Sequence, residues 1–229
     1  MDKKGKLIVI EGVDGSGKET QSRALYERFK KEGEKVLFVS YPRYDNISSA
    51  MIKQYLAGGF GKDPESVNPY AASTFYAVDR YASYKEDLQD FLAGDGIVIA
   101  DRYTTSNMIH QAVKLHDFEE RRLFLDWLSD FEFRLLGLPE PNQVFFLDVP
   151  PEAGKNLMIH RRNKITGEKA KDIHESNPAY LRHAYHTAKE LAERYQWQIV
   201  QCTNDGVMRS IESIHEEIYS SVIKLIKKG

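Results

Sequence analysis

The chain has 229 residues, of which 41% are hydrophobic and 29% charged, a composition typical of one globular domain with a sizeable core. Its net charge of −2 and isoelectric point near 6.4 argue against a protein dedicated to nucleic acid or membrane surfaces, so we expect neither partner. The only cysteine, Cys202, excludes an intramolecular disulfide, and the apolar run at residues 7–10 is far too short for a signal peptide or membrane span, which favours a cytoplasmic location.

The first predicted elements are a strand, a glycine-rich loop and a helix. Residues 7–10 form an apolar run, and residues 21–31 carry apolar side chains at helical spacing. Between them, Gly12, Gly17 and Lys18 have the spacing of a phosphate-binding loop. Its glycines let backbone N–H groups turn inward, and its lysine reaches the terminal phosphates. This succession predicts a nucleotide-binding site.

One position of this loop departs from the common pattern. The residue after Lys18 is usually Ser or Thr, whose hydroxyl holds magnesium. Here it is Glu19, followed by Thr20. Either the Glu19 carboxylate takes part in magnesium binding, directly or through water, or it faces solvent in the first helical turn, where acidic residues are favoured. Because oxygen ligands suit magnesium, we favour metal involvement.

Further apolar runs predict four more strands, at residues 36–39, 97–100, 144–147 and, more weakly, 198–200. Helical patterns separate the runs. Apolar stripes predict helices that pack in the core or at a subunit contact, at residues 123–131, 181–195 and 207–225. Strands that alternate with helices form a parallel sheet covered on both faces, which collects ligands at the carboxyl ends of its strands.

Charged side chains follow two of the predicted strands. After the second strand, Pro42 stiffens the chain and the Arg43 guanidinium could bind an anionic substrate. Asp101 directly follows the third strand, as a magnesium-positioning carboxylate does. A structural pair of Asp101 with Arg102 is the alternative interpretation.

Two predicted helices offer side chains for a nucleotide base. Tyr76 and Arg80 lie one turn apart, able to stack on a base and to hold a phosphate, or else to serve as a core aromatic and a surface arginine. The helix after the third strand carries several hydrogen-bonding side chains: Thr105, Ser106, His110 and Gln111.

Residues 161–176 lack an apolar stripe and are rich in basic residues: Arg161, Arg162, Lys164, Lys169 and Lys171. This composition predicts a mobile basic loop between helices, here called the lid.

Taken together, five motifs resemble the thymidylate kinase family. They are Gly-Val-Asp-Gly-Ser-Gly-Lys at 12–18, Tyr-Pro-Arg at 41–43, Tyr-Ala-Val-Asp-Arg at 76–80, Asp-Arg-Tyr-Thr-Thr-Ser at 101–106 and Asp-Ile-His-Glu at 172–175. The resemblance implies an α/β, P-loop NTPase-type fold: a five-stranded parallel sheet with helices on both faces and a basic lid at about 161–176, in a single domain spanning 1–229. It also implies a homodimer that uses ATP and Mg²⁺ to convert dTMP to dTDP.

The resemblance assigns residues to three sets. ATP-binding residues are Gly12, Val13, Asp14, Gly15, Ser16, Gly17, Lys18, Glu19, Thr20 and Arg161. dTMP-binding residues are Asp14, Pro42, Arg43, Tyr76, Arg80, Arg102, Tyr103, Ser106, His110 and Gln111. Catalytic residues are Asp14, Lys18, Arg102, Arg161 and Arg162, with Asp101 and Glu19 at the metal.

Within the dTMP set, the resemblance implies individual roles. Tyr76 stacks on thymine, with Arg80 and Gln111 near the base; Arg43 and Arg102 clamp the acceptor phosphate, Asp14 approaches the deoxyribose, and Tyr103 disfavours a 2′-hydroxyl. His110 stands where the family commonly has an aromatic side chain, so its role beside the sugar and base stays open. Because the phosphate loop has no arginine, Arg161 or Arg162 of the lid is expected to supply one.

Two other functions stay open at this point. A deoxynucleoside kinase would use a carboxylate base near the sugar, for which Glu11 or Asp101 could serve. A nucleotide-binding protein with weak catalysis is suggested by Glu19 at the usual magnesium-ligand position.

Overall fold

The computed structural model describes residues 5–154 and 178–228. The predicted lid at 161–176, with Arg161 and Arg162, lies outside the described residues. The main strands are β1 Lys6–Glu11, β2 Val36–Ser40, β3 Ile97–Asp101, β4 Gln143–Asp148 and β5 Gln198–Gln201, and a short hairpin is formed by β6 Thr203–Asn204 and β7 Val207–Met208. The helices are α1 Lys18–Lys31, α2 Ala50–Leu56, α3 Pro69–Ser83, α4 Gln89–Ala93, α5 Thr104–Ala112, α6 Phe118–Ser129, α7 Pro178–Arg194 and α8 Ile211–Lys228. Two π-helical segments, Tyr84–Leu88 and Asp130–Leu135, extend α3 and α6.

The five main strands form one parallel sheet in the order β2-β3-β1-β4-β5. Asp101 at the end of β3 is in register with Ile10 of β1 and with Ser40 of β2. The carboxyl ends of these three neighbouring strands therefore meet at one edge, from which the phosphate loop, Arg43 and the Asp101-Arg102 pair emerge. All five strands predicted from apolar runs are confirmed, each to within two residues.

Alternate residues of each strand pack into hydrophobic cores on opposite faces of the sheet, because successive side chains of a strand point to opposite faces. Leu7 and Val9 pack on one face with residues of α5, α6 and α7. Ile8 and Ile10 pack on the other face with residues of α1 and α8. The prediction of a sheet covered by helices on both sides is thus confirmed. Among the described residues, no helix is both long and apolar enough to cross a membrane.

The three apolar stripes predicted from the sequence lie in different environments. The stripes of α7 and α8 are mainly core, as shown by the buried Ala184 and Leu191 and by the buried Ile218, although Ile211 at the start of α8 is 53% exposed. The prediction that the C-terminal stripe begins at residue 207 is wrong, since Val207 lies in the β hairpin, is 70% exposed, and precedes α8 by four residues. A positive φ at Gly206, of 78°, makes the turn that separates it from the preceding strand.

The stripe of α6 is only partly buried. Phe124 points into the core, whereas Leu123 is 53% exposed. Tyr70 of α3 contacts Trp127 of α6 with 4.7 Å between ring centroids, so the outer sides of the two helices are continuous. Together they form an exposed apolar face, made of Tyr70, Val78, Tyr81, Leu123 and Trp127.

Candidate active site

The loop between β1 and α1 has the backbone shape required to surround a phosphate. Gly15 and Gly17 adopt positive φ values of 82° and 80°, which are open to glycine at little cost. A Cβ on Gly12 would lie 2.5 Å from the Ser16 hydroxyl oxygen, so only glycine fits at this position. Ser16 is buried, and its hydroxyl oxygen has no hydrogen-bond partner within residues 5–154 and 178–228. The Ser16 hydroxyl is thus a polar atom of the loop that a ligand could satisfy.

Lys18 and Arg102 meet at one carboxylate. Asp14 Oδ1 lies 3.5 Å from Lys18 Nζ and 2.5 Å from Arg102 Nη2. Burial, which has the larger effect, and the positive charge of Arg102 lower the pKa of Lys18 to about 8. Burial also acts to lower the pKa of Arg102, but the carboxylates of Asp14, Glu11 and Asp101 outweigh it and raise that pKa. Lys18 of the phosphate loop and Arg102, just before α5, thus lie at the same carboxylate, where an added phosphate would be attracted by both.

Glu11 connects the phosphate loop to α5. Its fully buried carboxylate accepts hydrogen bonds from Gly12 N at 2.9 Å, Thr105 Oγ1 at 2.7 Å and Ser106 Oγ at 2.7 Å. These donors occupy both carboxylate oxygens, so Glu11 acts as a structural link and is poorly available as a base for a sugar hydroxyl. The predicted dTMP contact of Ser106 stays a prediction.

Asp101 has the surroundings expected of a carboxylate at a magnesium site. It is 2% exposed, and its Oδ2 accepts a hydrogen bond from Ser40 Oγ at 2.9 Å. Its buried Oδ1 has no hydrogen-bond partner in the described part of the chain, and a carboxylate oxygen is the ligand that magnesium prefers. No group of three or more His, Cys, Asp or Glu side chains that could hold a metal occurs among the described residues. As a buried carboxylate oxygen, Asp101 Oδ1 is suited to an ion that arrives with nucleotide phosphates.

Glu19 takes the place expected of an acidic residue in a first helical turn. Its side chain is 39% exposed and lies 3.3 Å from Arg23 Nε. Thr20 beside it is exposed. A carboxylate has acceptor capacity beyond one contact such as that with Arg23, and the role of Glu19 at the metal stays a prediction.

Arg43 is held by acidic residues at the edge of the site. Its backbone N–H and Nε donate to Asp79 at 2.8 and 3.3 Å, and its Nη1 donates to Glu86 at 2.9 Å. Pro42 before it follows a cis peptide bond with Tyr41. To clamp an acceptor phosphate as predicted, Arg43 would exchange part of these contacts.

Arg80 is buried in an ion pair that the sequence did not reveal. Its Nε and Nη2 donate to Glu132 at 2.6 and 2.5 Å, and Thr104 Oγ1 donates to the same carboxylate at 2.7 Å. The interpretation of Arg80 as a surface residue is wrong, since it is 2% exposed. Glu132 lies in the π-helical extension of α6 between Phe131 and Phe133, and an acid inside an apolar stripe is the signal that could have indicated a buried partner.

Three other residues were predicted to contact the base or the sugar: Tyr76 is half-buried, whereas Gln111 and Tyr103 are buried. Tyr76 is half-buried and meets Tyr55 edge to face, with centroids 6.5 Å apart. Gln111 is 1% exposed, and its Oε1 has no hydrogen-bond partner within the described ranges, as expected of an atom reserved for a ligand. Tyr103 is 1% exposed and donates its hydroxyl to Pro139 O at 3.1 Å. This bond gives no support to the predicted discrimination of a 2′-hydroxyl by Tyr103, which stays a prediction.

His110 lies next to Arg102. Its Nε2 is 3.4 Å from Arg102 Nη1, and its ring stacks on Tyr180 of α7 with centroids 6.2 Å apart. The structure thus brings His110 to the predicted acceptor-phosphate group, and it adds Tyr180, which sequence reasoning placed only in an apolar helix.

Comparison with known proteins identifies the family of this chain. The family model described as thymidylate kinase matches residues 10–218. The chain is 32% identical to the thymidylate kinase of Mycobacterium tuberculosis (strain CDC 1551 / Oshkosh) over 189 residues, which cover 82% of this chain and 81% of that protein. It is 30% identical to the probable thymidylate kinase of Thermococcus onnurineus over 219 residues, covering 94% and 96% of the two chains. The solved structure of the thymidylate kinase of Candida albicans has the same fold, with a TM-score of 0.71 at 20% identity, covering 97% and 94% of the two chains. The chain therefore belongs to the thymidylate kinase family.

Proposed function

We propose that this protein transfers the γ-phosphoryl group of ATP to the phosphate of dTMP and so produces dTDP. The observation that carries the proposal is the meeting of Lys18 from the donor loop and Arg102 from the acceptor side at Asp14. Family membership supports ATP and dTMP as the substrates. A donor phosphate on the loop and an acceptor phosphate at Arg102 would face each other across this carboxylate.

The chemistry requires positioning and charge neutralisation more than a base. The acceptor phosphate has a second pKa near ~6, so at neutral pH its oxygen is mostly an ionised nucleophile. This oxygen forms a bond to the γ-phosphorus while the bond from that phosphorus to the β–γ bridging oxygen breaks, and ADP leaves with the electron pair. Lys18, Arg102 and Arg43 reduce the repulsion between the two negatively charged phosphates.

Magnesium bound with ATP supplies charge neutralisation at the β- and γ-phosphates. Asp101 would hold this ion through its unpartnered Oδ1, directly or through water. Glu19 is the second predicted contributor. The absence of arginine from the loop sequence supports assignment of the transition-state arginine to Arg161 or Arg162, and such an arginine is worth ~10³–10⁵ in rate.

We also propose a homodimer that buries the exposed apolar face of α3 and α6. Of the three apolar stripes in the sequence, those of α7 and α8 are used mainly in the core, with Ile211 at the start of α8 exposed, whereas α6 keeps Leu123 at 53% exposure in the middle of the helix. Val78 on α3, at 58%, adds to the same face. Contiguous apolar surface of this kind marks protein contacts. A cytoplasmic location is proposed as well, and the charged phosphates of the proposed substrates, which do not cross membranes unaided, support an enzyme in the same compartment as its nucleotides.

The two alternatives are not favoured by the comparisons, which find thymidylate kinases. The nucleoside-kinase alternative is further weakened by Glu11, whose oxygens already accept hydrogen bonds from three protein donors. A weakly catalytic nucleotide-binding protein remains a measurable outcome because of Glu19.

The first test is ATP-dependent diphosphate formation by the purified protein with magnesium, comparing dTMP, dUMP, other deoxynucleoside monophosphates and thymidine. Strong preference for dTMP is expected; turnover of thymidine alone would contradict the proposal.

Arg102→Met should raise KM for dTMP and lower kcat, whereas Arg134→Met, at an exposed residue, serves as a matched control with unchanged kinetics. Glu19→Thr separates the remaining alternatives: a loss of turnover supports a working Glu19, and a large gain indicates an impaired native site.

A further inference from the structure

A chain of polar contacts leads from α7 to the predicted acceptor-phosphate arginine. Tyr180, in the first turn of α7, is 8% exposed and donates its hydroxyl to the backbone oxygen of His110 at 2.8 Å. The same hydroxyl oxygen lies 3.4 Å from His110 Nδ1. On the opposite side of the ring, Nε2 is 3.4 Å from Arg102 Nη1, and Arg102 in turn donates from Nη2 to Asp14.

The contacts on the two sides of the ring favour one position for the imidazole proton. A guanidinium has N–H donors and no acceptor, so a hydrogen bond from Arg102 Nη1 requires that His110 Nε2 be unprotonated. In a neutral ring the proton then sits on Nδ1, which faces Tyr180. Because the Tyr180 hydroxyl uses its hydrogen toward the carbonyl of His110, its oxygen lone pairs are directed to accept from Nδ1–H.

The electrostatic surroundings keep this ring neutral. Burial, followed by the charge of Arg102, lowers the pKa of His110 to about 3, with Lys18 and Lys114 acting in the same direction and Asp14 opposing them. A protonated ring would place a second N–H opposite the arginine donor. The neutral ring instead offers an acceptor there.

We propose that Tyr180 is a positioning residue for phosphoryl transfer: it fixes His110 in the Nδ1–H tautomer, so that Nε2 holds the Arg102 guanidinium in the orientation that receives the acceptor phosphate. This inference rests on the proposed function, in which Arg102 binds dTMP. It also gives His110 a function through a nitrogen atom, where the family commonly has an aromatic side chain. A phenylalanine at position 180 would preserve the ring stacking, with its interplanar angle of 18°, and remove the hydroxyl that contacts His110 Nδ1 and the His110 backbone oxygen.

The deciding experiment combines NMR and kinetics on the full chain with the Tyr180→Phe variant. Nitrogen-15 spectra of the nucleotide-free protein report the His110 tautomer; the wild type is expected to show Nδ1–H, and the variant a substantial Nε2–H population. KM for dTMP is expected to rise ~3–10-fold, the loss of about one hydrogen bond, with KM for ATP unchanged. Tyr195→Phe, which removes a hydroxyl beyond the end of α7, is the control and should alter neither readout. An unchanged tautomer or an unchanged KM for dTMP in Tyr180→Phe would overturn the proposal.

A double-mutant cycle separates this route from general loss of packing. In a His110→Phe background, Tyr180→Phe should have no further effect on KM for dTMP, because the residue through which Tyr180 acts is already gone. Full additivity of the two substitutions would overturn the proposal. The NMR readout requires no catalysis, so a protein that shows the tautomer change but fails to phosphorylate dTMP would contradict the proposed function and leave the link from Tyr180 to Arg102 standing.

Discussion

Replacing Glu132 with glutamine tests the buried ion pair that Glu132 forms with Arg80, a predicted base-binding residue. The two side chains are 0% and 2% exposed. The carboxylate accepts two hydrogen bonds from Arg80 and one from Thr104. A glutamine amide has the same shape but only one acceptor oxygen, and its NH₂ group would face a donor of Arg80 or Thr104. Glu132→Gln therefore leaves a buried guanidinium without a counter-charge.

The expected cost is large for a single-atom change. Loss of one hydrogen bond to a charged group is worth ~1.5–3 kcal/mol. The uncompensated charge of Arg80 adds to this loss, and removing one partner of a buried pair typically costs ~3–5 kcal/mol in total. We expect Glu132→Gln to lower the free energy of unfolding by about that amount.

Urea unfolding monitored by circular dichroism measures the effect. The midpoint should fall by ~1–2 M urea while the slope m stays unchanged, given slopes near the upper end of the usual range for a chain of this size. Asp130→Asn, an acid-to-amide change on the same π-helical segment with an exposed partner, is the control and should leave the midpoint in place. The double variant Arg80→Met with Glu132→Met should recover most of the loss, because no buried charge remains. A loss below ~1 kcal/mol in Glu132→Gln, or a double variant less stable than the single one, would refute this reasoning.

Three further predictions concern the loop, its anchor and the apolar face. Burial lowers the pKa of Lys18 to about 8, so its ammonium is lost as the pH rises through 8. The affinity for ATP, measured by titration calorimetry, should therefore fall between pH 8 and 9.5 in the wild type and stay constant in Lys18→Arg. Equal pH dependence of the affinity in both proteins would refute the assignment. Glu11→Gln should lower kcat for dTMP ~10-fold or more and reduce the melting temperature, since it loosens the link between loop and α5; wild-type values in both assays would contradict that role. Leu123→Lys should convert the proposed dimer to a monomer in analytical ultracentrifugation, whereas Phe118→Lys should not, because Phe118 is also exposed, at 62%, but lies about 140° away around α6. A dimeric Leu123→Lys protein would contradict an interface on this face.

Much of the site framework was predictable because its determinants are local. The phosphate loop depends on glycines at fixed spacing that take positive φ, between a strand and a helix adjacent in the chain. The position of Asp101 followed from the apolar strand directly before it. Tyr76 and Gln111 were candidates from their positions on predicted helices, the family resemblance gave their roles toward thymine, and their contacts with a base remain predictions.

Other contacts of the site were out of reach of sequence patterns because they join residues far apart in the chain. Arg80 and Glu132 are 52 positions apart, and His110 and Tyr180 are 70 apart. Each of these polar residues, taken alone, is also compatible with an exposed position. Only packing of α3 against the extension of α6, and of α7 against α5, shows that they are buried partners.

The sequence by itself determined the five strands, the helices between them, the phosphate loop and the family, because apolar periodicity, glycine spacing and short motifs act over a few residues. The tertiary structure alone decided the strand order, which of the three apolar stripes stays exposed, and the partners of Arg43, Arg80 and Arg102. The physical reason is that burial and charge pairing depend on which elements pack together, and that choice is made by the whole chain.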